Sequence, residues 1–300
     1  MFKLYKQAFK TTNEGIILTI PLALFWWLIT LYIEFSKSVV DTYPEMILSG
    51  VTMLFTTSAF CAGWFYMVKK CVKLTKKQFI FDKDKDNESI KLIKAMPNGI
   101  GRFFLHFVVV CLMFVGIALL MFFLIMSLGY DYVREVMNIL TDAGVTSLNT
   151  ADIQLFINQL QPEQTMELFR KIFPPVLKSA AVIISIPTIF SFLMLLWIPE
   201  IIYTFKNPAI ALFTSIKKIF IHFFKSVKLY IYITIIQVLI STMGPFSLIN
   251  PICYLLMIVV YFYFLVYVVV LIFSYYEQEF RKHKDEKAII NSDSGTDSER

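Results

Sequence analysis

The sequence predicts an all-α fold, a bundle of six helices that cross a membrane. Three observations carry that expectation. Hydrophobic residues make up 57% of the 300-residue chain, 30 of them phenylalanine, which is more apolar surface than a soluble domain of this length needs for a core. The charged residues, 17% of the chain, are gathered into clusters separated by long uncharged intervals. Those intervals, at about 1.5 Å per helical residue, cover the roughly 30 Å of a bilayer's hydrocarbon core.

The spans follow in order. The first is 15–33, uncharged between Glu14 and Glu34, behind Lys3, Lys6 and Lys10. This lead has the layout of a signal peptide. Its 19-residue apolar run is longer than such a segment needs and ends without a small-residue cleavage site, so it reads as a retained span. The second, 46–68, lies between Glu45 and Lys69, and the third, 103–128, lies between Arg102 and Asp131. The fourth, 177–203, contains 21 uncharged residues between Lys178 and Glu200. From Tyr230 to Tyr276 there is no charge, a run too long for one span. Gly244-Pro245 and Asn250-Pro251 are turn signals and divide it into spans at 226–245 and 251–275 joined by a tight hairpin.

Lys and Arg set the expected orientation. The N-terminal lead, the 69–102 connection, the 204–228 elbow and the C-terminal tail together hold 23 of the 28. Positive residues stay in the cytoplasm, which places both termini there and agrees with an even number of spans. The 131–173 connection is then extracytoplasmic. Within it Ile153, Phe156, Ile157 and Leu160 fall on one helical face, and so do Met166, Phe169 and Phe173 in a second segment behind Pro162. A third segment, 130–140, is also helix-like. These helices read as a cap over the bundle's outer face, with a lid or docking surface as the alternative. The tail 276–300 reads as cytoplasmic and largely disordered, since its last residues have almost nothing to bury.

Several functions are disfavoured. The net charge of +6 does not point to nucleic acid, because the basic residues sit beside apolar runs where membrane topology puts them. Cys61, Cys71, Cys111 and Cys253 show no CxxC spacing and read as free thiols. No GxSxG, HExxH or phosphate-binding glycine loop occurs, and the alternating acids at 82–88 lack the glycine and terminal glutamate of a calcium loop. No cofactor, metal site or catalytic residue is expected.

Two basic stripes remain. Lys69, Lys70, Lys73, Lys76 and Lys77 fall within about 60° of Lys73 on a continuing helix. In the elbow, Lys218, His222 and Lys225 stand at i, i+4, i+7, flanked by Lys217 and Lys228 and interleaved with Phe220, Phe223 and Phe224. Such surfaces attract anionic lipid headgroups at about 1 kcal/mol per lysine. The same lysines also serve simply to fix topology.

Glu200 is the one acid at a span end with apolar residues on both sides. Ionisable residues at membrane depth are functional candidates, but its place near the boundary suits a structural pairing with an elbow lysine. Pro187 and Pro199 each free a backbone carbonyl, so the fourth span is expected to kink. Glu200, His106 and His222 share one level, which raises a relay or metal site as a remoter reading. The leads before spans 1, 3 and 5 are each basic and aromatic, a weak internal echo that topology alone produces.

The elbow sequence ALFTSIKKIFIHFFKSVKLYIYIT, following an acid at the end of a span and a short polar break, resembles a broad group of bacterial six-span proteins. The group includes the membrane domain attached to some glycerophosphoryl diester phosphodiesterases. The resemblance implies a six-span architecture and a bacterial inner-membrane setting. No phosphodiesterase domain is present in these residues, so that activity is not implied. The functional expectation is a non-catalytic membrane accessory protein that contacts the lipid bilayer through anionic headgroups and partners an envelope or lipid-metabolism protein. The alternative is a small-solute or ion permease using the kinked fourth span and Glu200. A lipid-modifying enzyme would need an acid or histidine cluster at one interface.

Overall fold

The computed structural model describes residues 1–77, 91–143, 161–248 and 250–281. Among them there are helices and no strand. Six helical segments are long and apolar enough to cross a membrane: Ile16–Val39, Tyr43–Thr75, Lys91–Asp142, Glu163–Thr204, Phe223–Phe246 and Pro251–Phe280. The protein is an all-α, multi-pass membrane protein. The segment 82–88, the helix expected at 152–160 and the tail from 282 lie outside the described residues.

The chain forms two compact units, one of residues 1–111 with 193–300 and one of residues 112–192. The first begins with a helix that the sequence reading took only as a charged lead. Helix α1 (Phe2–Glu14) is amphipathic and buries Leu4, Ala8, Thr11 and Thr12. At Gly15 the chain turns through a 3₁₀ turn (Ile16–Leu18) into α2 (Thr19–Val39). A Cβ at Gly15 would lie 2.5 Å from Cys71 Sγ and 3.0 Å from Thr11 O, so glycine gives this corner room to close on the next helix. The corner is fixed from outside by Trp64, whose indole N–H donates to Leu18 O at 2.9 Å.

Helix α2 runs past Glu34, which pairs with Lys37 at 2.8 Å, so the helix outlasts the uncharged interval. Helix α3 (Tyr43–Lys77) returns, its start capped by Glu45, whose carboxylate accepts from Asp41 N–H and Thr42 N–H, both at 3.0 Å. Helix α4 (Ala95–Asp142) meets α3 at two glycines. A Cβ on Gly99 would lie 2.8 Å from Ala62 O and 3.0 Å from Gly63 Cα. Backbones that approach this closely make up for the missing hydrophobic drive between helices in lipid. Phe65 and Phe107 stack beside this contact, with centroids 5.6 Å apart.

The remaining helices of this unit are α6 (Trp197–Thr204), α7 (Pro208–Ile221), α8 (Phe223–Thr242) and α9 (Pro251–Phe280). A 3₁₀ stretch, Gly244–Leu248, makes the α8–α9 hairpin, and Asn250 caps α9 by accepting from Cys253 N–H at 2.8 Å. Helix α9 is the mast of the unit. Its final turns bury Val266, Tyr267, Val270, Leu271, Phe273, Tyr275, Tyr276 and Glu277. Helix α1 packs along it, tied by Gln278 donating to Gln7 at 2.8 Å and by Tyr263 donating to Asn13. Tyr5 stacks on Tyr232 of α8 with ring centroids 4.0 Å apart. Burial, aided by the Tyr232 hydroxyl, pushes the Tyr5 phenol above its ordinary pKa.

The second unit holds the rest of α4 and most of α5 (Pro162–Leu193). The segments expected as separate cap helices, 130–140 and 162–173, are helical and continuous with the spans. Pro174 and Pro175 are carried inside α5, and so is Pro187. Met166, Phe169 and Phe173 remain exposed. Glu167 and Lys171 pair at 2.8 Å beside an open groove of about 320 Å³ lined by Ile139, Asp142, Gln164 and Leu168.

The glycine contact yields a test. Gly99→Ala sets a methyl against backbone, which has no rotamer to yield, so it should cost about 1–3 kcal/mol and lower the thermal midpoint in detergent. Gly101→Ala, whose Cβ would meet nothing within 4 Å, should leave the midpoint unchanged.

Candidate functional site

The fourth span breaks between α5 and α6, at Met194–Leu196, and not at Pro187. Pro199 has no N–H, so the carbonyl of Leu195 loses its helical donor. The chain tightens there, with Trp197 N–H reaching Met194 O at 3.0 Å. Helix α6 then ends at Phe205, whose φ of 57° is left-handed. A bulky residue holds that conformation only where its surroundings enforce it. Here the Phe205 ring, partly exposed, lies against Phe103 at 5.3 Å, His106 at 4.8 Å and the Arg102 guanidinium at 4.8 Å.

The reversal folds α7 back on α6. Asn207 caps α7 by accepting from Ala209 N–H at 3.0 Å, and Pro208 occupies its first turn. Trp197 locks the two helices, its indole donating to Pro208 O at 2.8 Å. The result brings Lys218 under Glu200.

Glu200 is 0% exposed, and its Oε2 accepts from the Lys218 ammonium and, at 2.6 Å, from the Tyr276 hydroxyl. Lys218 also donates to that hydroxyl at 2.6 Å, so the three groups close a ring across α6, α7 and α9. Oε1 has no hydrogen-bond donor among the described residues; Lys206 Nζ lies 3.9 Å away. The elbow lysine that the sequence reading expected for Glu200 is therefore Lys218.

A second polar group sits alongside. Tyr203 donates to Glu277 at 2.6 Å and stacks on Tyr276 with centroids 5.2 Å apart. Lys69 donates to Ile202 O at 2.5 Å, capping the last turn of α6 with a cation where the helix end is negative. Its ammonium and the Arg281 guanidinium both lie over Tyr203, 5.1 and 5.3 Å from the ring centre. Lys73, Arg102 and Arg281 are close enough for their charges to act on Lys69.

The two lysine stripes are thus split in role. Lys69 and Lys218 turn inward. Lys70 lies 5.5 Å from the Tyr66 ring centre, Lys73 is half-buried, and Lys225 pairs with Glu279 at 2.6 Å. Lys217 and Lys228 are exposed, and the side chains of Lys76 and Lys77 lie outside the described residues. The histidines do not join Glu200: His106 packs on Phe205, and His222 stands edge-on to Phe280 at 5.1 Å. Among the described residues no three His, Cys, Asp or Glu side chains are placed to hold a metal ion. Tyr203, Tyr276 and Glu277 were missed because each matters only through a partner on another helix, which no spacing in the sequence signals.

What the cluster does chemically is hold buried charge. Removing one partner of such a pair leaves the other uncompensated, at a cost of about 3–5 kcal/mol. Lys218→Met should therefore lower the thermal midpoint sharply. Adding Glu200→Gln to it should recover part of the loss, and a double-mutant cycle of melting curves checks this. No family model, curated protein or solved structure matches the chain.

Proposed function

We propose that this protein is a non-catalytic, multi-pass protein of a bacterial inner membrane, with both termini cytoplasmic, that contacts anionic lipid headgroups and serves a partner envelope or lipid-metabolism protein. The observation that carries the reading is helix α7. At 14 residues it is too short to cross a bilayer. Its inner face is fastened to Glu200, yet its outer face exposes Ile210, Phe213, Phe220 and Ile221 around Lys217. The exposed line continues along α8 through Phe224, Lys228 and Ile231. Large apolar side chains alternating with lysines suit the headgroup boundary, where rings enter the acyl region and ammonium groups meet phosphate.

The pairing of Glu200 also supports this reading over a permease. A carboxylate closed by Lys218 and Tyr276 has its charge already matched within the protein. The elbow's resemblance to bacterial six-span proteins agrees with the inner-membrane setting, and the concentration of Lys and Arg agrees with the orientation.

Two measurements test it. In nanodiscs of mixed phosphatidylglycerol and phosphatidylcholine, the lipid shell retained by the protein should be enriched in phosphatidylglycerol. Neutralising Lys217 and Lys228 should cost about 1 kcal/mol each, roughly a fivefold fall in enrichment per lysine. Equal retention of both lipids by the unaltered protein sinks the lipid reading. For orientation, a fluorescent reporter fused after Arg300 should fold in the cytoplasm; activity only from a periplasm-dependent reporter there would reverse it.

A further inference from the structure

Helix α1 has more faces than its packing uses. At about 100° per residue, Leu4, Ala8 and Thr11 form the buried face. Phe2, Tyr5 and Phe9 fall within about 60° of one another on a second face, and Lys3, Lys6 and Lys10 within about 60° on a third. Phe2 is 80% and Phe9 53% exposed. With Lys6, the aromatic face lines an open groove of about 410 Å³ whose other walls include Tyr232 and Ile236 of α8 and Phe264 and Tyr267 of α9. That volume lies within the roughly 300–1,000 Å³ of ligand sites, and apolar walls with few polar groups are their usual character. The polar groups here are donors. The Tyr232 and Tyr267 hydroxyls are bonded to each other at 2.9 Å. That bond uses one of two hydroxyl protons, so one phenol keeps an O–H to give. The Tyr5 hydroxyl, on the ring stacked over Tyr232, and the exposed Lys6 ammonium add donors. Among the described residues that line the groove there is no carboxylate. Donors of this kind suit an anionic oxygen group, and the rings suit a hydrocarbon chain. Two walls belong to the spans Phe223–Phe246 and Pro251–Phe280, so the groove is open to molecules held in the bilayer.

We propose that the groove between α1, α8 and α9 seats one anionic phospholipid. An acyl chain lies against Phe9, Ile236 and Phe264, and the headgroup oxygens accept from Lys6 and from the phenols. The seat gives the aromatic face of α1 a purpose that its anchoring to α9 does not require, since Gln7 and Asn13 already make that tie. The inference rests on the reading of a lipid-contacting protein and deepens it, by naming a saturable seat separate from the outer face of α7.

The test uses the full chain in phosphatidylcholine nanodiscs, titrated with phosphatidylglycerol and read by native mass spectrometry. A phosphatidylglycerol with a photoreactive group in its acyl chain locates the seat. One such lipid should saturate each chain and cross-link to α1 within residues 2–9 and to α8 or α9 near Ile236 and Phe264. Lys6→Gln with Tyr5→Phe removes two donors and leaves the residue 5 ring in its stack. The thermal midpoint should hold while lipid binding falls about tenfold. Should that pair fail to fold, Lys6→Gln alone, at an exposed position, should show a fall of about fivefold. Lys6→Arg, which keeps the charge, should bind as the unaltered protein does. The Lys217→Gln, Lys228→Gln pair should leave the cross-linked lipid in place. Phosphatidylcholine retained equally, labelling that does not saturate, or labelling that survives the Lys6 and Tyr5 substitutions overturns the seat. So does phosphatidylglycerol that binds only once residues 282–300 are deleted, which gives the groove to the chain's own tail. A dimer mass with no lipid overturns it too, and gives the groove to a second copy. Loss of enrichment on the α7 face with the cross-linked lipid intact would instead remove the broader reading and leave the seat.

Discussion

A carboxylate with no exposure to solvent dictates the architecture of the first unit. Burying an ionised group uncompensated is prohibitive, so Glu200 needs a cation and further donors within hydrogen-bond reach. Lys218 meets that need only if the chain reverses after α6 and runs back alongside it. The reversal requires the left-handed residue at Phe205, the Asn207 cap and the Trp197 lock. Tyr276 meets it only if α9 passes the same point. One ion pair thus positions three helices and decides which lysines remain for the surface.

Much of this was legible in the residues, and the limits are physical. Uncharged length announced the six spans, because a bilayer's thickness is a fixed ruler. The pairing of Glu200 with an elbow lysine followed from the cost of an isolated charge. Which lysine it would be was hidden, since the register of α7 against α6 depends on a backbone conformation that phenylalanine rarely adopts. The kink was expected at both prolines, yet only the region before Pro199 breaks; Pro187 stays within a continuous helix because a span can absorb one missing hydrogen bond. Helix α1 was available in the spacing of Leu4, Ala8 and Thr11, but its lysines drew the reading toward topology. Tyr203, Tyr276 and Glu277 carry no linear signal, because they matter only through partners on other helices.

The division of the basic residues has a wider meaning. Counting lysines near a membrane treats them as equivalent, but here burial sorts them. Some satisfy helix ends and buried acids, and others face outward beside exposed phenylalanines. The first kind contributes to folding, and its removal shows as instability. The second contributes to what the protein touches. Arginine at positions 102 and 281 belongs to a third group, lying over the rings of Phe205 and Tyr203.

The ties between α1 and α9 bear on how the protein is made. Helix α1 is anchored by Tyr263 and Gln278, partners 250 and 271 residues further on, and Glu200 waits for Tyr276. All three partners belong to α9, which is synthesised after every other described helix. Until α9 arrives, α1 and Glu200 lack their α9 partners, a window in which a holding factor or the surrounding headgroups would have to keep them apart from other chains. Assembly of this unit waits for α9, so truncation anywhere before Tyr276 removes a donor that the buried Glu200 requires.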